Sequence, residues 1–184
     1  MSIDEPIAFR QLLVDELGLV GDIDRSERID ARYVQHGTHL ELQTGDWSSP
    51  PWDVEGDGEH SVAALREMLA QTLARGATAM GAFAEGALVG FGVVLPHIRP
   101  GLAQLVALYV SRPHRGQGIA GRLTEDLERL ALAAGDTAMV VSATPSENTV
   151  RFYLGRGFEP TADPLPELYE LEPEDVHMQK RLQR

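Results

Sequence analysis

The chain has 184 residues, 43% apolar and 24% charged, with a formal net charge of −12, enough for one sizeable core and ordinary for a globular domain. It has no cysteine, which excludes disulfides, thiolate metal sites and a cysteine nucleophile, and its six histidines (His36, His39, His60, His97, His114, His177) fall in no HExxH or HxH spacing, so no metal is expected. The acidic balance argues against nucleic acid and favours a cationic or neutral partner; the lack of a long apolar run argues against a membrane, and acids where a signal peptide carries basic residues point to a cytoplasmic protein.

Pro6 to Leu17 has apolar spacing suited to a short helix, with Asp4 and Glu5 placed to favour its start. Arg28 to Gln35 and Thr38 to Gln43 read as a hairpin around His36-Gly37. The run GDWSSPPWDVEGDGEH (45–60) reads as loop. Its Trp47 and Trp52 either form a lid over a cationic substrate or anchor the loop on the core. Val62, Leu65, Leu69 and Leu73 mark one face of a helix from about His60 to Arg75, closed by Gly76.

TAMGAFAEGALVGFGVVLPH (78–97) reads as two strands turning at Glu85-Gly86. Leu102 to Val110 is a third strand, apolar enough for burial on both faces. A helix from Gly116 to about Ala134, stopped by Gly135, and a strand Thr137 to Ala143 complete a βαβ-like crossover. Ser146 to Leu154 is a short helix, and strands Leu168 to Glu172 and Asp175 to Leu182 close the sheet. The expected fold is α/β, a single domain with one mixed, mostly antiparallel sheet flanked by helices.

The turn RPHRGQGIAG (112–121) satisfies two phosphate-binding patterns, Gly116-x-Gly118-x-x-Gly121 and Arg115-x-x-Gly118-x-Ala120. Either would use the free N–H groups and positive end of a helix start. The first is the dinucleotide fingerprint, which needs its glycine directly after the strand and an acid at the end of the next one. Here Ser111 to Arg115 intervene, the next strand ends in Ser142 and Thr144, and Asp136 stands at its other end. A nicotinamide-dependent oxidoreductase is therefore the weaker reading. Arg112, His114, Arg115 and Arg122 make an anion-binding spot on an otherwise acidic chain.

Arg115-Gly116-Gln117-Gly118-Ile119-Ala120 after LYV resembles the acyl-CoA pyrophosphate loop of the GCN5-related N-acetyltransferase (GNAT) family. NTVRFYLGRGF (148–158) resembles the family's later motif, AMGAFAEGALVGFGVV (79–94) the strand pair before its central strand, and EDVHMQKRL (174–182) its closing strand. The resemblance covers about His60 to the C-terminus. It implies an acyl-CoA N-acyltransferase core over 60–184, with 1–59 as a helix, hairpin and loop extension on the acceptor side. It implies acetyl-CoA as cosubstrate and transfer of acetyl to a primary amine of a small molecule or peptide by direct attack. An acyl-CoA-binding regulatory module on the same fold is the alternative.

By the same resemblance, Arg115, Gly116, Gln117, Gly118, Ile119, Ala120 and Gly121 hold the CoA pyrophosphate. A bulge around Leu108, Tyr109 and Val110 frees backbone groups, with the Val110 N–H facing the thioester carbonyl. Asn148 orders the helix start or a water near CoA, or caps the helix, and Tyr153 protonates the departing thiolate unless it is only a core aromatic. Many relatives carry a Glu on the central strand near the place of Gln104; without one, proton removal through water is expected, with Glu41, Glu85 and His97 as relay candidates. Pairing through the C-terminal strands would give a homodimer.

Overall fold

The computed structural model describes residues 6–183. In chain order its elements are β1 (Ala8–Gln11), β2 (Glu27–His36), β3 (His39–Ser49), α1 (Val62–Ala74), β4 (Thr78–Ala84), β5 (Ala87–Arg99), β6 (Leu102–Val110), α2 (Ile119–Ala134), β7 (Ala138–Ala143), α3 (Glu147–Gly155), β8 (Glu159–Pro160), α4 (Pro166–Leu171) and β9 (Val176–Arg181). Seven strands form one sheet in the order β1-β4-β5-β6-β7-β9-β8, and β2 and β3 pair as a separate ribbon. All neighbours in the large sheet are antiparallel except β6 and β7, which are joined through α2.

Local chemistry explains most of these boundaries. Glu85 (φ 50°) and Gly86 (φ 82°) give the left-handed pair that a tight hairpin needs. Ser61 caps α1 by accepting from the Ala64 N–H at 3.0 Å. Ile119, Leu123, Leu127 and Ala131 recur every four residues along α2 and are all buried against the sheet. Gly135, at φ 101°, ends that helix by donating to the Ala131 carbonyl. Each fully buried leucine contributes about 1.5–3 kcal/mol. One apolar cluster gathers Leu105, Leu127, Met139, Val150, Phe158 and Met178; a second, Leu12, Leu17, Val20, Leu69 and Phe91.

Several expected elements differ. Pro6 to Leu17 is not a helix: Ala8–Gln11 pairs with β4, from Ala8↔Phe83 to Gln11↔Met80, and covers an edge that would otherwise be open. A 3-10 helix, Val14–Asp22, follows, and Leu17 and Val20 reach the core at the three-residue spacing of that turn. Asp4 and Glu5 lie outside the described residues. β3 runs on to Ser49, so Gly45–Ser49 is strand, not loop, with Trp47 opposite Ile29. The helix after the glycine turn starts at Ile119, not Gly116, because Gly116 and Gly118 hold φ of 75° and 80°. Leu168–Leu171 lies in α4, started by Pro166 in its first turn, rather than in a strand. β6 alternates fully and half-buried residues instead of burying both faces, because one face borders a cleft. Among the described residues no helix is long and apolar enough to cross a membrane.

Candidate active site

The parallel pairing of β6 and β7 runs only from Leu102↔Ala138 to Gln104↔Val140. Beyond Gln104 the two strands diverge. The register of β6 against β5 shifts at the same level, where Ala107 opposes Val93 and Leu105 opposes Val94, leaving Val106 as a bulge. The bulge therefore lies at Val106 and not at Leu108 to Val110, which pair regularly with β5. The Ser111 N–H donates to the Val89 carbonyl at 2.9 Å. Antiparallel alternation then directs Tyr109 to β5 and turns the backbone groups of Leu108 and Val110 into the gap. The free edge comes from strand divergence.

This gap is a cleft of about 480 Å³. Its walls are Leu105–Val110 of β6, Val141–Thr144 of β7 and its exit, and Asn148, Thr149, Phe152 and Tyr153 of α3, with Arg115, Gly116 and Ala120 at one end. Arg25, Glu27, Ser49, Glu172 and Asp175 complete it.

At the end formed by the glycine turn, the N–H groups of Gly116 to Gly121 have no acceptor in the protein among the described residues. The first backbone bond of α2 is from the Arg122 N–H to the Gly118 carbonyl, at 3.0 Å. A Cβ built on Gly116 or Gly118 would meet no atom within 4 Å, so the space over both is open; their positive φ is what demands glycine. Such a run of unpartnered donors at a helix start is able to hold an anion. The Arg115 guanidinium donates to the Val110 carbonyl at 3.1 Å and the Ser26 carbonyl at 3.2 Å, so it ties the turn to the end of β6. Ile119, although inside the motif, is buried against Ala82, Val89 and Leu123. Gln117 is exposed, and the Gly121 carbonyl accepts from Arg156.

Tyr153 is 5% exposed, its ring edge-on to Phe152 at 5.2 Å and Phe158 at 5.3 Å. Its hydroxyl has no hydrogen-bond partner among the described residues, and the side chain lines the cleft. Burial, then the neighbouring Tyr109 and Asp175, push the phenol well above its ordinary value. Tyr109 is raised as well, by burial first, with Arg25 opposing and Glu172 and Asp175 adding to it. Asn148 does not cap α3. Ser146 does, accepting from the Thr149 N–H at 3.3 Å, while Asn148 Nδ2 donates to Glu27 Oε1 at 2.9 Å and joins α3 to β2.

Glu41, Glu85 and His97 are not at the cleft. Glu41 lies on β3 opposite Val34 with its carboxylate 3.4 Å from His36 Nε2, Glu85 forms a hairpin turn, and His97 binds the buried Asp136 through Nδ1 at 2.9 Å and through its N–H at 3.0 Å. The carboxylates at the cleft are Glu27, Glu172 and Asp175, none of them singled out by sequence pattern. Burial, then Glu172 and Glu174, raise Asp175 to about 7. Trp52 is buried, with Arg25 stacked on it at 4.3 Å and Tyr109 edge-on at 5.4 Å; it anchors its loop behind a cleft wall. Trp47 lies under Arg32 at 4.5 Å and over Gly45. Neither tryptophan lines the cleft.

The family model of the acetyltransferase (GNAT) domain matches residues 55–182. The chain belongs to the GNAT acetyltransferase family. Solved structures agree on the fold. Nourseothricin acetyltransferase superposes with a TM-score of 0.73 at 16% identity, over 97% of this chain and 100% of that one. A Bacillus anthracis str. Ames protein assigned as a streptothricin acetyltransferase, in complex with acetyl coenzyme A, gives 0.69 at 14%, over 97% and 100%. The PaiA N-acetyltransferase of Thermoplasma acidophilum, in complex with coenzyme A, gives 0.63 at 17%, over 96% and 99%. Comparison with curated proteins gives no match. As a GNAT acetyltransferase, this chain is an acyltransferase whose cosubstrate is acetyl-CoA, and its sheet is mixed, mostly antiparallel and flanked by helices, the expected fold class.

Proposed function

We propose that this GNAT protein moves an acetyl group from acetyl-CoA to a primary amine of a small molecule or peptide by direct attack, with the whole chain acting as one catalytic domain in the cytoplasm. The observation that carries the reading is continuity. The N–H groups of Gly116 to Gly121 have no protein acceptor among the described residues, and Gly116 and Ala120 of this turn line the same cleft as the free backbone edge of β6 and Tyr153. The turn's donors hold the pyrophosphate of the cosubstrate, and the edge at Leu108 and Val110 pairs with its pantetheine amides. The Val110 N–H donates to the thioester oxygen and stabilises the charge that grows there during attack. Tyr153, kept neutral by burial, gives its proton to the departing thiolate.

A non-catalytic acyl-CoA-binding role leaves the Tyr153 hydroxyl without a purpose. A nicotinamide role lacks an acid at the end of β7, where Ser142, Ala143 and Thr144 stand. The N-terminal stretch is no separate appendage, since β1 extends the large sheet and Arg25 and Glu27 line the cleft.

Calorimetric titration with acetyl-CoA, and with NADH in parallel, tests the reading. Micromolar acetyl-CoA binding, weakened at least tenfold by Gly118→Val, is the expected result. Heat with NADH and none with acetyl-CoA overturns it.

A further inference from the structure

A second cavity, of about 530 Å³, lies beside the cleft under the β2–β3 ribbon, between Tyr33 and Gln35 of β2, Pro145, Thr161 and Tyr169. Among the described residues, Asp175 alone lines both this cavity and the cleft. Its position is fixed by the chain: its N–H donates to the Glu172 carbonyl at 3.2 Å, and Val176, next in sequence, is fully buried at the start of β9.

No cation neutralises Asp175 among the described residues. Glu172 and Glu174 of its own loop, Tyr153 of α3 and Tyr109 of β6 all act on it or are acted on by it. Of the groups on neighbouring elements, Arg25 stacks on Trp52, Arg32 stacks on Trp47, and His177 is held by the Glu172 carbonyl and Ser142 with its proton affinity lowered by burial. The Tyr153 hydroxyl, which has no hydrogen-bond partner among the described residues, belongs to a residue lining the same cleft, so a ligand at this junction would meet it.

Resting on the acetyl-transfer reading, we propose that the second cavity is the acceptor subsite, that it admits a primary aliphatic amine as its ammonium ion, and that Asp175 takes the ammonium proton where the two cavities meet. An aliphatic ammonium ion is almost fully protonated at neutral pH, so it must lose a proton before its nitrogen can attack. Two uncompensated carboxylates beside a third raise the proton affinity of Asp175 and attract the cation at the same time.

The proton balance is complete. Asp175 removes one proton from the ammonium, and the nitrogen lone pair forms the C–N bond while the C–S bond breaks. Tyr153 protonates the thiolate and recovers a proton from the acylated nitrogen, and Asp175 returns its proton to water. The products are the acetamide, CoA thiol and one proton.

The test uses the full chain, acetyl-CoA, and cadaverine, lysine amide and tyramine as acceptors. For the fastest of these, kcat/KM should rise with pH through a limb near 7. Asp175→Asn should lose about 100-fold in kcat and lose that limb, while its acetyl-CoA affinity by calorimetry stays within about twofold. Asp175→Glu should restore part of the rate, and Glu172→Gln should move the limb to lower pH, which a purely structural role would not do. Asp175→Asn should also melt higher than the parent at pH 8, by about 5 °C, and not at pH 4 or below. An unchanged limb in Asp175→Asn, or failure of a protein that binds acetyl-CoA to acetylate any of the three amines, overturns the proposal. Failure to bind acetyl-CoA instead overturns the reading it rests on.

Discussion

Replacing Tyr153 by Phe removes one oxygen and leaves the ring. The ring carries the packing: it is edge-on to Phe152 and Phe158, inside a cluster with Val150, Val176 and Met178. The hydroxyl, by contrast, makes no hydrogen bond among the described residues while 95% of its residue is shielded, since Tyr153 is 5% exposed. Removing a hydroxyl that opens on the cleft and has no protein partner loses no bond within the fold and changes stability by less than about 1 kcal/mol. Melting temperature should therefore hold within about 2 °C. The rate should not hold. A positioned general acid contributes about 10²–10⁴-fold, or roughly 3–5 kcal/mol of barrier. Because burial raises the phenol, it remains protonated through neutral and mildly alkaline pH, and its loss should depress the rate evenly across that range. Single-turnover acetyl transfer, paired with thermal melting, separates the two effects. A Phe variant that transfers acetyl within about threefold of the parent would return Tyr153 to the role of a core aromatic. A variant that melts several degrees lower would mean the hydroxyl is bonded in the fold, and the argument from its missing partner would fail.

Gly118→Val places a β-branched residue at φ 80°, where it costs about 1–2 kcal/mol, and acetyl-CoA affinity should fall at least tenfold by calorimetry while far-ultraviolet dichroism stays native. Alanine at Glu41, Glu85 or His97 should leave the rate-versus-pH profile unaltered, since none reaches the cleft; the His97 variant alone should lose about 1 kcal/mol in denaturant melts, because the buried Asp136 forfeits its side-chain partner. Trp52→Ala should cost about 3–5 kcal/mol, whereas Trp47→Ala should lower stability by less than half of that and leave kcat within about twofold. Asp175 titrates near 7 when folded and near its ordinary 3.8 when unfolded, so the folded state binds more protons between those values. Stability is therefore full below about 4 and declines as pH rises to 7, by at most about 4 kcal/mol and less by solvent screening. Asp175→Asn should flatten that decline in melts run from pH 4 to 8.

What was legible in the sequence follows a physical division. α1, α2 and the strands from Thr78 to Val110 announce themselves through local period and through turns that demand left-handed residues, as at Glu85-Gly86 and Gly135. The four-residue strand β1 has too few residues to show a period, and it exists because β4 offers an edge more than sixty residues away. The site divides in the same way. The turn proposed to hold phosphate could be located because that role needs a backbone conformation, and backbone conformation is written in glycine. The free edge of β6 was expected from a bulge at Leu108 to Val110, yet it arises where β6 and β7 part after Gln104, a property of two strands taken together. Glu172 and Asp175 sit in Glu-Pro-Glu-Asp, a segment that reads as a solvated acidic loop. The one local hint is that these acids stand directly before a buried strand, so the chain cannot swing them away. Their shift in proton affinity comes first from burial between β2, α3 and α4, which brings long stretches of chain together. A general base is a side chain whose environment does the work, and that environment is assembled only by the fold. In this acetyltransferase the proposed cosubstrate turn is accordingly the readable half, and the proposed acceptor half becomes visible only when Asp175 is seen at the junction of two cavities.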